Sequence, residues 1–234
     1  KRHGVTAVGE YANEGILPGA MVNFLALLGW SPGDDREFMT AEELTGAFSS
    51  DRLLKSGSVF DIEKLQWLNG RHLSARPSQE LCDYIRAGLE GQLCDVDRLD
   101  DAPWVEALLE VIKVRARTLD ELVAQAHPFL CSNLNFDEKA VEKQWRKDPE
   151  AAIERLLGLH AAFEGAEWTH EALEERLRGL AAEMEMGAGK LIHPLRVALT
   201  GNMASPGIFD VLVLLGRERV SQRIASGVER IRSA

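Results

Sequence analysis

The 234-residue chain is longer than one typical domain, and with 45 % hydrophobic and 27 % charged residues it has the composition of a folded globular protein. This excludes collagen-like, mucin-like and wholly disordered chains, and no apolar run approaches the roughly 20 residues that a membrane-spanning helix needs. The formal net charge of −10 is unusual for a nucleic-acid-binding protein. No apolar segment follows Lys1-Arg2-His3-Gly4 to suggest a secretory signal.

Helical periodicity begins with three short segments in the first 75 residues. Residues 18–29 predict a helix, because Pro favours a first helical position and Gly favours the end. Thr40-Ala41-Glu42-Glu43 has the form of a capping box, which predicts a helix with Leu44 on its apolar face. Residues 61–70 predict a third helix, which the Asn69-Gly70 pair would end.

The same periodicity continues to the end of the chain. The best strand signal, residues 57–60, is too short to form a sheet by itself, and no repeat of 30 to 45 residues indicates a regular solenoid. We therefore predict an all-α fold with boundaries near residues 75 and 165. Further helices are predicted over residues 78–89, 102–114, 118–126, 137–146, 149–163, 169–186, 191–199, 206–215 and 217–231.

Cysteine usage and catalytic motifs are both uninformative about an active site. Cys82, Cys94 and Cys131 are odd in number and form no C-x-x-C pair, so we expect no disulfide framework, no zinc site and a reducing cytoplasm. The sequence lacks a dinucleotide fingerprint, a P-loop, H-E-x-x-H and a nucleophile elbow. The six histidines are expected to be structural or surface residues. Catalysis by this chain alone is therefore not predicted.

Two segments combine residue types that can bind a ligand. Residues 59–70 place charged and aromatic groups on one capped helix, and residues 193–201 lead into Ser205-Pro206-Gly207. A Ser-Pro-Gly start to a helix exposes backbone N–H groups and a hydroxyl near Arg196, which together can hold a phosphate or a base edge. A cap followed by a loop also explains the pattern, and the composition alone favours that plainer interpretation.

These segments resemble the C-terminal half of bacterial glutamyl-tRNA synthetases. Residues 15–31 are similar to G-[YF]-L-P-E-A-L-x-N-Y-L-A-L-L-G-W-S, with Gly19 where Glu is usual, and residues 59–70 match V-F-D-x-E-K-L-x-W-L-N-G. Residues 193–216 match Q-P-L-R-x-A-L-T-G followed by P-G-L-F, with His193 in the Gln place. Lys1-Arg2 resembles the end of the K-[ML]-S-K-R loop. The resemblance spans the chain but is loose over residues 77–164.

The resemblance implies part of a ligase that attaches glutamate to tRNA(Glu) with ATP and Mg²⁺, in the cytoplasm and as a monomer. Its Rossmann-type catalytic domain would precede this chain, which begins without Met and keeps from that domain only Lys1, a contact to ATP phosphate. The chain alone is therefore expected to be inactive. Residues 1–75 would be a stem-contact domain, and residues 76–164 and 165–234 two subdomains of a helical anticodon-binding cage. Whether tRNA(Gln) is also charged stays open, and no binding to DNA, membrane or metal is expected.

The resemblance also implies which individual residues contact the tRNA. Arg115 falls where an arginine reads the last anticodon base, a role that suits a planar fork of donors, and Arg117 is its rival if the register is shifted by two. Lys64 and Trp67 match contacts to the inner corner of the tRNA. The positions that match contacts around the first two anticodon bases are Arg196, Ser205, Pro206 and Ile208.

The charge distribution leaves rival interpretations open. The residues after Met186 carry seven basic and three acidic side chains, a balance of +4, whereas the rest of the chain carries −14. A basic end fits a face that meets an anionic partner, and a chance cluster on a solvated helix fits equally well. The acidic body would also suit a helical protein-interaction scaffold, and a synthetase paralogue with a changed task is a third interpretation.

Overall fold

The computed structural model describes residues 8–54, 57 and 59–233 of the chain. The described residues are mostly helical and contain no strand, so the predicted all-α fold is confirmed. The short strand signal at residues 57–60 forms no strand where it is described. In the described part of the chain, no helix is both long enough and apolar enough to cross a bilayer.

The structure divides into two compact units. Unit 1 contains the described parts of Lys1–Glu90 and Ile112–Ala126, and unit 2 contains Gly91–Val111 and the described part of His127–Ala234. The chain thus enters unit 2, returns to unit 1 and enters unit 2 again. These units follow internal packing and differ from the three sequence-derived domains, which stay a prediction.

Unit 1 is built from α2 and α4, which pack against each other, with shorter helices around them. Its core contains a cluster of apolar side chains from both helices, and each fully buried side chain of this kind contributes about 1.5–3 kcal/mol. The cluster residues are Ile16, Met21, Phe24, Leu65 and Leu68. The helices are α1 (Val8–Asn13), α2 (Pro18–Gly29), α3 (Ala41–Ala47), α4 (Ile62–Ser74) and α5 (Ser78–Gly88), with a 3₁₀ turn at Ser50–Arg52.

Unit 2 is a helical bundle in which α9 packs against α10, α11 and α13. α11 and α13 approach closely, because a Cβ on Gly227 would lie 3.3 Å from the Cβ of Ala198. The helices are α6 (Ala102–Ile112), the end of α7 (Leu119–Leu130), α8 (Glu138–Val141), α9 (Pro149–Phe163), α10 (His170–Glu183), α11 (Gly189–Thr200), α12 (Ile208–Leu215) and α13 (Arg217–Arg232), with a 3₁₀ helix at Val96–Asp100 and a π-helix at Glu142–Arg146.

Several helix starts follow from their own residues, as predicted. Pro18 occupies the first turn of α2. The capping box of α3 is present, since the Glu43 N–H donates to Thr40 Oγ1 at 3.2 Å and the Thr40 N–H donates to Glu43 Oε2 at 2.8 Å. Asp61 caps α4 by accepting from the N–H groups of Glu63 and Lys64. Each cap satisfies donors that the first helical turn leaves unpaired.

The predicted stop of α4 at Asn69-Gly70 is wrong, because the helix continues to Ser74. Asn69 is fully buried, and its side chain joins α4 to two other segments. Its Oδ1 accepts from the Leu17 N–H at 2.8 Å, and its Nδ2 donates to the carbonyls of Gly15 and Arg117. Gly70 permits a close approach, since a Cβ there would lie 3.1 Å from the carbonyl oxygen of Ala116. Tertiary contacts therefore explain both residues better than turn formation does.

The expectation of no disulfide is also wrong. Cys94 and Cys131 are joined, and the two residues form an isolated antiparallel bridge with a Cα–Cα distance of 3.9 Å. The remaining cysteine, Cys82, is buried in α5. A separation of 37 residues hides the pair in the sequence, because their proximity depends on the chain's return to unit 2 at His127.

Candidate nucleic-acid interface

The predicted contacts in unit 2 converge on the loop between α11 and α12. Arg196 Nη1 donates to the carbonyl oxygens of Ser205 and Pro206, at 3.2 and 2.6 Å, and to the Ser205 hydroxyl. The Ser205 Oγ donates in turn to the Pro206 carbonyl at 3.1 Å. One guanidinium therefore fixes the loop to α11, and it does so at the positions that the sequence singles out.

The start of this loop is fixed by Gly201. Its φ of 75° lies in the left-handed region, and a Cβ there would overlap the carbonyl oxygen of Asn135. The Asp137 N–H donates to the Gly201 carbonyl at 2.9 Å, and the Thr200 hydroxyl donates back to the Arg196 carbonyl at 2.9 Å. These contacts position the segment between α11 and α12, residues 201–207, referred to below as the 201–207 loop.

Helix α12 carries the loop's other end into the core of unit 2. Ile208, its first residue, is 4 % exposed, so its side chain packs inside the unit. At the far end of α12 the Leu214 carbonyl accepts from Trp104 Nε1 at 3.0 Å and from Arg98 Nη2 at 2.9 Å. Because the helix is held at both ends, the preceding residues have a fixed position, with Ser205 half-buried and Pro206 buried.

The predicted contacts in unit 1 lie along α4. Trp67 is 40 % exposed and contributes to a surface groove. Lys64, one turn earlier on the helix, pairs with Glu37 through a 2.5 Å contact between Nζ and Oε1. Spacing of three residues places Lys64 and Trp67 on neighbouring parts of one helical face. The groove is lined by Phe38, Trp67, Gly70, Arg71, Ser74, Ala75, Val114, Ala116 and Arg117.

The two rival arginines differ in position. Arg117 lines the groove together with Trp67, and its backbone is held on both sides, by Asn69 at the carbonyl and by Glu121 at the N–H. Arg115 is exposed and does not line the groove. The structure thus brings Arg117 next to Trp67 and leaves Arg115 on the adjoining surface. The predicted ATP contact, Lys1, lies outside the described residues.

Part of the C-terminal positive charge serves the fold. Three arginines of α13 donate to carbonyls at the C-terminal ends of other helices, which satisfies groups that those ends leave unpaired. They are Arg217 to Phe163 of α9 at 3.2 Å, Arg219 to Phe129 of α7, and Arg223 to Leu199 of α11.

Arg223 is the most buried of the three, with 6 % of its surface exposed. Burial, together with the positive charge of Arg219, lowers the pKa of Arg223 to about 10, which leaves it charged at neutral pH. Three of the seven basic side chains after Met186 therefore bind main-chain carbonyls of other helices.

A group of side chains in unit 2 was not predicted from the sequence. Cys94, His127 and Cys131 place their sulfur and ring-nitrogen atoms within 4.8 Å of one another. His127 and Cys131 are four residues apart, a spacing that pairs side chains on a helix, but the predicted helix over residues 118–126 ends before both of them. Cys94 could not have been added from sequence spacing.

Two protein-family models together match most of the chain. Residues 78–228 match the family described as the anticodon binding domain, which includes the 201–207 loop and Arg115. Residues 1–67 match the family described as tRNA synthetases class I (E and Q), catalytic domain.

Individual relatives agree with the family matches. A glutamate–tRNA ligase of Desulforudis audaxviator is 35 % identical over 227 residues, which cover 96 % of this chain and 45 % of that ligase. Glutamate–tRNA ligase 2 of Koribacter versatilis is 40 % identical over 232 residues, covering 98 % and 48 %. The chain thus spans about half the length of these relatives.

A solved structure agrees with the sequence relatives. The crystal structure of a glutamate tRNA ligase from Elizabethkingia meningosepticum, in complex with its amino acid, superposes with a TM-score of 0.76 at 28 % identity, over 94 % of this chain and 43 % of that one. Residues 78–228, which include the 201–207 loop, thus belong to an anticodon-binding domain, and residues 1–67 match part of a class I tRNA synthetase's catalytic domain. The chain belongs to this family and corresponds to the C-terminal portion of a glutamate–tRNA ligase, with a small end of the catalytic domain.

Proposed function

We propose that this chain recognises tRNA(Glu) at the inner corner and the anticodon, as the C-terminal part of an enzyme that attaches glutamate to that tRNA. The observation that carries the proposal is the position of Arg196, Ser205 and Pro206. They form one hydrogen-bonded loop inside the segment that matches the anticodon-binding family. Single-stranded bases are usually read by such loops, through hydrogen bonds and apolar or planar contacts.

In this proposal Arg196 positions the loop and Ser205 meets a base. The guanidinium already binds the Ser205 and Pro206 carbonyls, so its charge fixes the backbone that a base would approach. The Ser205 hydroxyl is half-buried and can exchange its contact with the Pro206 carbonyl for one with a base edge. Pro206 is buried and contributes through its carbonyl, which accepts from Arg196 and from Ser205. Ile208 acts from inside unit 2, by holding the start of α12.

In unit 1 the groove beside α4 supplies the second contact. Trp67 offers an exposed aromatic face and Lys64 a positive charge on the same helix, which suits a ribose–phosphate surface. Arg115 or Arg117 reads the last anticodon base, since a guanidinium can bind a base edge through two hydrogen bonds. Whether tRNA(Gln) is also bound depends on how strictly that base is read.

Catalysis belongs to the remainder of such an enzyme. The family resemblance places the glutamate and ATP sites upstream of this chain, so we assign no chemical step to the described residues. Lys1 would contact ATP phosphate in the complete enzyme, with Mg²⁺ bound there as well. The chain alone should therefore give no ATP–pyrophosphate exchange above background in a preparation free of host synthetase.

A salt series of RNA-binding measurements tests the proposal. Purified chain is titrated with a tRNA(Glu) transcript, with the same transcript carrying an exchanged anticodon, and with duplex DNA. We expect tRNA(Glu) to bind best and its affinity to fall as salt rises, because phosphate contacts release counterions. Equal affinity for both transcripts would remove the anticodon assignment. Binding to none of the three would favour a protein-interaction scaffold instead.

A further inference from the structure

Three side chains of types that can bind a metal meet in unit 2, and none of them belongs to the 201–207 loop. The sulfur atoms of Cys94 and Cys131 and a ring nitrogen of His127 all lie within 4.8 Å of one another. Cys131 is buried, and Cys94 is half-buried. Two sulfurs and one imidazole are a donor set that zinc and other borderline-soft metals prefer.

The backbone, and not the disulfide alone, brings the three together. His127 lies in the last turn of α7 and Cys131 directly follows the helix, where its N–H donates to the His127 carbonyl at 2.9 Å. Cys94 is placed opposite Cys131 by two hydrogen bonds that flank the pair, from the Asp95 N–H to the Leu130 carbonyl at 2.8 Å and from the Ser132 N–H to the Leu93 carbonyl at 3.2 Å. Reduced thiols at these positions therefore stay within reach of each other and of His127.

The charge around the group suits a metal bound by thiolates. Arg223 donates to the Cys131 carbonyl at 2.9 Å, and Arg219 donates to the carbonyl of Phe129. Two thiolates and a neutral imidazole balance the charge of a divalent cation, so the completed site does not repel the neighbouring guanidinium groups.

We propose that Cys94, His127 and Cys131 bind one Zn²⁺ when the Cys94–Cys131 disulfide is reduced. Three protein ligands leave a fourth position for water or another donor. The disulfide and the metal exclude each other, because both need the same two sulfurs. When one of the two protein thiolates attacks a disulfide such as oxidised glutathione, the first glutathione thiolate leaves and a mixed disulfide forms. The second protein thiolate then attacks that mixed disulfide, so the protein disulfide forms, the second glutathione thiolate leaves and Zn²⁺ is released.

The test uses the full chain, reduced with a phosphine and freed of metal. Titration with Zn²⁺ should saturate at one ion per chain, and Co²⁺ in its place should give the thiolate-to-cobalt charge-transfer absorption. The same titration of the disulfide form should show no such absorption. A reduced chain that binds no zinc, or a disulfide form that binds it equally well, would overturn the proposal.

Variants assign the ligands one at a time. Losing an outer-shell partner of a zinc site lowers affinity about 10- to 100-fold, so Cys94→Ser and His127→Asn, which remove direct ligands, should each lower it by more than about tenfold. His127→Asn keeps both thiols and serves if the cysteine variant fails to fold. Cys82→Ala, which removes the cysteine buried in α5, is the matched control and should bind zinc like the parent. Unchanged zinc affinity in His127→Asn would contradict the three-ligand site.

Discussion

The side-chain amide of Asn69 donates to the main-chain carbonyl of Arg117 at 2.6 Å, which joins the middle of α4 to the segment that carries both rival arginines. Trp67 and Gly70 of α4 line one groove together with Ala116 and Arg117, so this bond joins the two segments that form the groove. A buried amide therefore links the stability of unit 1 to the geometry of its proposed RNA contact.

Replacing Asn69 with Ala should destabilise the chain strongly. The change removes three hydrogen bonds and leaves the Leu17 N–H and two carbonyls without that partner. Each unsatisfied buried group costs about 1–3 kcal/mol, so we expect a loss of at least about 3 kcal/mol in the free energy of unfolding. Urea denaturation measures it. Gln66→Ala, a half-buried position on the same helix, is the control and should cost less than about 1 kcal/mol.

Substitutions at two glycines with left-handed backbone distinguish the cost of steric crowding from the cost of backbone strain. Gly201→Ala adds a Cβ that overlaps the Asn135 carbonyl, whereas Gly165→Ala adds one with nothing within 4 Å. Both changes carry the φ penalty of roughly 1–2 kcal/mol. Gly201→Ala should therefore lower the melting temperature clearly more than Gly165→Ala, and it should also weaken tRNA binding by displacing the 201–207 loop. Equal losses in the two variants would show that the crowding is relieved at no cost.

The stability of the chain should fall as the pH falls below neutrality, in part through His72. Burial and the positive charge of Arg76 hold the pKa of His72 below its usual 6.5, while its Nε2 lies 3.1 Å from Asn23 Oδ1. The unfolded chain then binds more protons at this ring than the folded chain, so the stabilisation present above pH 6.5 is lost as pH decreases.

Unfolding free energies measured between pH 7.5 and 5.5 test this expectation. The decrease should be smaller in His72→Asn than in the parent. Some decrease should remain in the variant, because burial and Arg223 also lower the pKa of His127. An identical decrease in both proteins would contradict a folded-state shift at His72.

Reversing the charge of Arg219 should lower the stability of the fold, whatever it does to tRNA affinity. The side chain donates to the Phe129 carbonyl and lies 3.5 Å from Asp95, so Arg219→Glu removes a bond at the end of α7 and creates a repulsive pair. We expect a loss of more than about 1 kcal/mol in the free energy of unfolding. The matched control is Arg232→Glu in the last turn of α13, where reversal should cost less than about 1 kcal/mol. If Arg219→Glu keeps its stability and loses tRNA affinity, Arg219 contacts phosphate.

Local signals predicted the helices well, and long-range contacts explain the failures. The capping box at Thr40 and the range Pro149–Phe163 could be read from the sequence because caps and periodicity act over a few residues. Asn69-Gly70 looked like a helix end because its partners are up to 54 residues away. Likewise the 201–207 loop was predictable from adjacent residues, whereas the pairing of Cys94 with Cys131 was not.

The specificity of the proposed anticodon contact depends on Arg115 and Arg117. If the Arg115 guanidinium reads the third anticodon base, Arg115→Gln removes a bidentate, charge-assisted contact worth about 1–3 kcal/mol of discrimination. At 1.4 kcal/mol per factor of ten, discrimination relaxes by roughly 5- to 150-fold. The measurement compares the affinities of tRNA(Glu) and a variant changed only at that base. The salt slope should stay nearly constant, because no phosphate contact is lost.

Arg117→Gln is the matched control for register, because its backbone is fixed by Asn69 and Glu121 and the substitution therefore changes the side chain alone. If Arg115 carries the base contact, Arg117→Gln should keep the parent's discrimination. If Arg117 makes the base contact, Arg117→Gln should relax the discrimination and Arg115→Gln should not. The place of Arg117 in the same groove as Trp67 would explain that result. If neither variant alters base preference, this segment does not read the anticodon, and recognition of the anticodon rests on the 201–207 loop alone.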